Sequence, residues 1–245
     1  MLAVAVSFSA SCSVPQPADP DIQKKADAFS EGVSSDLQAK EAAAAEARLI
    51  RLKYPKDRPL NVFYAGDSLG YGFHASVQAK AYRPLVTAKL EETVPVEEYR
   101  ATKPANAPLF QIGNIEGIPK SGIDLAIIEL GTNDAGRTEI PDFRKQYEAV
   151  LTKIKRGSPS AYILCAGAWG FPGTQGTDPY DRIIEEVCKE HGGRYVDLTE
   201  AFMTKGSYGP EGRDTWVGKS DNFHPNDKGH RMIADLILER IILVK

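Results

Sequence analysis

The hydrophobic pattern of this chain changes character twice. Residues 22–54 are rich in Ala, Lys and Glu, with Ala42 to Ala45 uninterrupted, a composition that favours helix. The apolar stripe is thin until Leu49, Ile50 and Leu52, so the stretch predicts a stalk or a peripheral helix. After Pro59, short apolar runs alternate with longer segments of helical period. Residues 60–65 (LNVFYA) predict a strand that ends in the turn Gly66-Asp67-Ser68-Leu69. A helix is expected over about 75–91 and a second strand near 94–101. The run LAIIEL at 125–130 reads as a buried strand of the parallel kind. Then follow a helix at about 142–155, a strand at 162–166, a helix at 179–191 and a strand at 195–198. A last helix spans about 227–243, with Met232, Ile233, Leu236, Ile237 and Ile241 on its inner face.

Such alternation implies α/β architecture, a parallel sheet with helices on both sides. A site is then expected at the carboxyl ends of the strands. No internal repeat is visible, which excludes a solenoid. The chain divides into a leader and linker (1–21), the Ala/Lys/Glu-rich segment (22–58) and the α/β domain (59–245).

The first segment bears on location. Residues 2–10 are apolar or small. About nine such residues cannot cross a bilayer, which needs about 20, but they suit the apolar core of a signal peptide. No Lys or Arg precedes them. Cys12 stands in a sequence resembling a bacterial lipobox, with Ser9 where Leu usually stands. Lipid attachment at Cys12 and simple cleavage nearby both fit, and either implies export. That leaves Cys165 and Cys188, as a disulfide or as two buried thiols. The net charge of −3 supplies no basic field for phosphates, so nucleic acid is not an expected partner.

Three segments fall where a site should form. Gly66-Asp67-Ser68-Leu69 follows the first strand of the domain, Gly131-Thr132-Asn133-Asp134 follows LAIIEL, and Asp221-Asn222-Phe223-His224-Pro225 precedes the final helix. Alone, each is ordinary loop chemistry, a turn or a helix cap. In this order they resemble the SGNH (GDSL-like) hydrolases over roughly 60–243. Ser68 falls in the GDS block, Asn133 in the G-x-N-D block, and Asp221 with His224 in the D-x-x-H-P block. The resemblance implies a three-layer α/β/α, flavodoxin-like fold with a five-stranded parallel sheet. It also implies ester hydrolysis with no metal or other cofactor.

The residues support that chemistry. A serine hydroxyl needs a neighbouring base to remove its proton as it attacks, and an imidazole can take and return one near neutrality. His224 is the expected base, with Asp221 three residues earlier to fix its tautomer. His74, placed in the helix after the nucleophile, and His191 and His230 are expected to be solvated or packed. The Ser68 N–H and the Asn133 amide are expected oxyanion donors. The family adds a glycine N–H from the loop after the second strand, but Ala101-Thr102-Lys103-Pro104 contains none. Gly113 is the nearest candidate. Asp67 and Asp134 read better as loop braces than as metal ligands, and Gly66, Gly70 and Gly72 do not form a phosphate loop.

Substrate is the least specified feature. Trp169, Gly170, Phe171, Pro172, Tyr208 and Trp216 are expected to wall a pocket, suiting sugar faces or acyl chains. With export, the expectation is a short-acyl (O-acetyl) esterase acting on a glycan. A lipase, lysophospholipase or thioesterase of the same fold, and an inactive surface glycan-binding protein, are the alternatives.

Overall fold

The structure is a computed structural model that describes residues 20–107 and 109–245. The apolar leader, Cys12 and most of the linker lie outside the described residues. Two compact units are present, divided between Ala47 and Arg48. In the first, α1 (Pro20–Ala47) is exposed wherever its side chains are described. Among the described residues no helix is long and apolar enough to cross a membrane.

The second unit opens with β1 (Ile50–Lys53), β2 (Leu60–Gly66), α2 (Ser68–Tyr71), α3 (Tyr82–Glu91), β3 (Val96–Arg100) and β4 (Leu125–Glu129). It continues through α4 (Ile140–Gly157), β5 (Tyr162–Ala166), α5 (Asp178–Glu190), β6 (Arg194–Val196) and α6 (Thr199–Met203). A two-residue hairpin pairs β7 (Asp214–Thr215) with β8 (Gly218–Lys219), and α7 (Asp227–Leu238) and β9 (Ile241–Val244) end the chain. The central sheet is parallel, in the order β3-β2-β4-β5-β6. This is the expected α/β fold.

Side chains of β2 and β4 alternate between two cores because a strand has a period of two. Leu60, Val62, Tyr64, Leu125 and Ile127 face α3 and α7, whereas Phe63, Ala65, Ala126 and Ile128 face α4 and α5. Each fully buried aliphatic side chain contributes roughly 1.5–3 kcal/mol, and both faces are filled. Continuous apolarity in β4 thus reflects burial on two sides.

The domain begins earlier than residue 59. Ile50 and Leu52 are buried while Arg51 and Lys53 are exposed, a strand's alternation rather than a helix's stripe. Ile50 pairs in parallel with Ile241 and Leu52 with Leu243. The last helix accordingly stops at Leu238, and Ile241 lies in a strand. Locally its spacing fits either structure; a partner strand about 190 positions away along the chain decided it, and strand preference depends on such context.

Cys165 of β5 and Cys188 of α5 form a disulfide across a 23-residue separation. Both residues are fully buried, so the bond ties α5 to the sheet. Loop-closure entropy for that separation is worth about 3 kcal/mol. The C165A/C188A double variant should therefore unfold with a stability lower by about that amount in urea titration. An unchanged midpoint and slope would contradict a structural role for the bond.

Candidate active site

Strand order reverses at β2, whose neighbours β3 and β4 are reached by connections running in opposite directions. The carboxyl ends of strands at such a point border a crevice. Gly66 is in register with Glu129, so Ser68, two residues on, and Asn133, four residues beyond Glu129, emerge side by side. Ser68 is the first residue of α2, and the Asp67 side chain caps it by accepting from Leu69 N at 3.0 Å. The turn demands glycine at 66, where an added Cβ would lie 2.9 Å from Gly70 Cα and 2.8 Å from the Tyr82 hydroxyl.

The third segment arrives from the far end of the chain. Asp221 Oδ1 accepts from the backbone of Phe223 (2.9 Å) and of His224 (2.8 Å), folding the loop over its own carboxylate. Asn226 then caps α7, accepting from Lys228 N and Gly229 N. Trp169 Nε1 donates to Phe223 O at 2.8 Å and fastens the loop to the core. His224 Nδ1 comes to 2.7 Å from Asp221 Oδ2 and Nε2 to 2.9 Å from Ser68 Oγ. An ionised carboxylate only accepts, so Nδ1 carries the proton and the Nε2 lone pair faces the serine hydroxyl. Burial raises the Asp221 pKa, but the His224 and Phe223 N–H groups and the imidazole outweigh it and hold the pKa at about 2. Asp221 is therefore ionised at neutral pH.

Asn133 is committed to the protein in this state. Its Nδ2 donates to Asp67 Oδ2 at 3.1 Å and to Phe110 O at 3.2 Å. Asp67 is buried, which pushes its pKa up to about 7. Asp134 accepts from Ile112 N (3.1 Å) and Thr138 Oγ1 (2.8 Å). Both acids thus receive donors from the loops around them. Gly113 lies in a tight turn against Gln146 of α4 and is not among the residues lining the cleft.

Three features escaped the sequence. His74 is not helical: its φ is +66°, the one non-glycine residue in the left-handed region among those described. There its Nδ1 accepts from Asp221 N at 3.2 Å and sits 3.3 Å from Asp221 Oδ1, with the ring 4.8 Å from that of His224. Burial lowers the His74 pKa, and His74, Asp221 and His224 form one cluster. A strained non-glycine residue beside a candidate catalytic acid is a recognisable signal, but only in three dimensions. Glu129 is fully buried beneath the serine turn, and burial raises its pKa well above the usual range. Its Oε2 accepts from the Tyr82 hydroxyl, 3.4 Å away.

The third is the wall of the cleft. A cavity of about 1040 Å³ opens over Ser68, His224 and Asn133, with Tyr64, Tyr71, Phe73, Tyr99 and Phe110 in its lining. These are not the aromatics expected. Trp169 is fully buried, with its ring edge-on to Phe202. Phe171 and Tyr208 also pack on Phe202, while Trp216 stacks on Tyr71 and so backs the wall. Of the remaining histidines, His191 caps the end of α5 through Val187 O at 2.9 Å. His230 is buried in α7, receives Tyr82 N on Nδ1 (3.3 Å) and donates from Nε2 to Phe73 O (2.9 Å).

Residues 64–232 match the model of the GDSL-like Lipase/Acylhydrolase family, and the chain belongs to that family. No curated protein sequence matches it. Among solved structures it resembles a family two carbohydrate esterase from Clostridium thermocellum (18% identity, 75% of this chain and 63% of that one, TM-score 0.50). It likewise resembles a family 3 carbohydrate esterase from Clostridium thermocellum (14% identity, 75% and 95%, TM-score 0.54). A phospholipase A1 from Streptomyces albidoflavus is similar too (16% identity, 75% and 100%, TM-score 0.50). The chain spans just under two thirds of the family two esterase, and these likenesses concern the fold.

His230 yields a pH prediction. Burial lowers its pKa to about 4 from 6.5. Its contribution to stability is therefore complete above pH 6.5 and is lost as pH falls from 6.5 to 4, where only the unfolded chain takes up the proton. A shift of this size corresponds to about 3 kcal/mol. Thermal denaturation should show a melting temperature falling over that window, and His230→Gln should flatten that part of the profile. An equally steep fall in the variant would assign it to other groups.

Proposed function

We propose that this protein is a serine carboxylic ester hydrolase that removes short acyl groups, O-acetyl above all, from a glycan. The observation that carries the reading is the hydrogen-bonded series Asp221–His224–Ser68, opening on a cleft far larger than an acetyl group. Ser68 Oγ attacks the ester carbonyl while His224 Nε2 takes its proton. Asp221 stabilises the imidazolium that results. The tetrahedral oxyanion meets the Ser68 N–H and one Asn133 amide proton, which leaves Phe110 O as substrate enters. Collapse breaks the C–O bond, and His224 returns the proton to the departing sugar hydroxyl. Water, deprotonated by the same imidazole, then releases the acyl group from Ser68.

The size of the cleft and its aromatic lining favour a bulky leaving group with flat faces. Structural relatives named as carbohydrate esterases support the same choice. The leader segment places the enzyme outside the cytoplasm in this reading, either secreted or anchored through Cys12. Asp221 engages the Nδ1 atom of each histidine of the cluster, and the reading needs no metal. EDTA should leave the rate unaltered; restoration of a lost rate by added metal would count against it.

The nucleophile is tested with p-nitrophenyl esters from acetate to palmitate. Ser68→Ala should remain folded and lose nearly all turnover, with the wild type fastest on acetate. A maximum on palmitate would favour the lipase alternative, and an active Ala variant would remove Ser68. Asn133→Ala should lower kcat by roughly 10²–10³ with KM nearly constant, as for loss of one oxyanion donor. Equal kcat with a lower melting temperature would make it a loop brace alone.

His74 is expected to act through Asp221. His74→Ala leaves the Asp221 N–H without its acceptor, a loss of about 1–1.5 kcal/mol, or roughly tenfold in kcat. His74→Asn, which can still accept, should recover most of it. Two variants with the same kcat as wild type would show that the loop holds Asp221 unaided.

A further inference from the structure

The cleft continues from Ser68 along the ends of β2 and β3, and its far wall is unevenly charged. Arg83, Glu98, Arg100 and Lys103 line it, with Asp67 at the serine end. Arg83 is buried; it donates from Nε to Gly70 O at 3.3 Å and pairs with Glu98, which also accepts from Thr87 Oγ1. That pair cancels. Lys103 Nζ rests on the backbone carbonyls of Ala107 and Pro104, which leave its charge uncompensated. The Arg100 side chain is exposed and makes no hydrogen bond or ion pair among the described residues. Two positive charges therefore stand in one wall of a protein whose net charge is −3. A cleft with low-dielectric walls focuses such a field.

Their position identifies which part of a substrate they meet. Arg100 is in register with Tyr64, two residues before the end of β2, and it lines the same cleft of about 1040 Å³ that opens over Ser68. An acetyl group fills only a small part of that cleft, so the charge belongs to the leaving group. We propose that the glycan is polyanionic, and that Arg100 and Lys103 bind carboxylates on sugar units distant from the acetylated one. Guanidinium suits a planar carboxylate bidentately, while Tyr71, Phe73 and Tyr99 offer faces to the rings between. This rests on the esterase reading above and specifies its substrate.

Acetate release by the full-length protein from O-acetylated polygalacturonate and from neutral O-acetylated glucomannan tests it. At low salt kcat/KM should be at least tenfold higher on the uronate polymer. The ratio should fall toward one in 0.5 M NaCl and in the R100Q/K103Q variant, through KM. Equal rates on both polymers, or a ratio insensitive to the variant, would overturn the subsite. So would a preference for lysophosphatidylglycerol micelles that R100Q/K103Q abolishes, since the cations would then serve a lipid phosphate. If p-nitrophenyl acetate is not hydrolysed, the esterase reading fails separately. Calorimetric titration of the Ser68→Ala protein with deacetylated oligogalacturonate still decides the subsite. Binding weakened tenfold by R100Q/K103Q supports it, and no binding rejects it.

Discussion

The contact between Ser68 Oγ and His224 Nε2 joins residues 156 positions apart, and much of the fold can be read as what keeps it at 2.9 Å. Neither side chain is held by its own loop alone. Ser68 is presented by a strand buried on both faces and by a turn too tight for any residue but glycine at 66. His224 is presented by an Asx-type turn on Asp221, a helix capped by Asn226, and a bond from Trp169 in the core. Those two assemblies meet because α3 and α7 pack on the same face of the sheet. His230 links them, with one nitrogen on Tyr82 of α3 and the other on the loop that carries Phe73.

Burial beneath the serine turn has an electrostatic consequence. Asp67 and Glu129 are buried, where charged carboxylates are costly, and burial pushes both pKa values up. Asp221, by contrast, is partly exposed and collects two backbone N–H groups and an imidazole, so it stays ionised. Three acids close to one site are thus sorted by environment. The one that must face His224 as a carboxylate is the one the fold keeps wet and well supplied with donors.

His74 shows how a neighbour can matter without belonging to any motif. Its backbone is strained, its side chain nearly enclosed (9% exposed) and its ring nitrogen turned to the Asp221 loop. The Asn133 amide is similarly engaged, held between Asp67 and Phe110 O, so one loop of the cleft wall already sits against an expected oxyanion donor. Substrate entry and the geometry of that wall are consequently coupled.

Local composition and period were enough to identify the alternating elements of the sheet, the order of the three loop segments and the residue types at their tips. The reason is that buried strands and helix caps write their requirements into adjacent residues. Ser68, Asn133, Asp221 and His224 were picked out only by the resemblance of the three ordered segments to the SGNH hydrolases. The parallel pairing of β1 with β9 could not be identified, since an Ile at the end of a helical pattern looks the same until its partner is in place. Nor could the disulfide, for which two cysteines must come within 6.2 Å between Cα atoms. The cleft lining was also hidden: Tyr64 comes beside Tyr99 and Arg100 only through strand register, while Trp169 was drawn into the core by Phe202 and Phe223. Whatever depends on neighbours along the chain was determined by sequence alone, and whatever depends on neighbours across the sheet was decided by the tertiary structure.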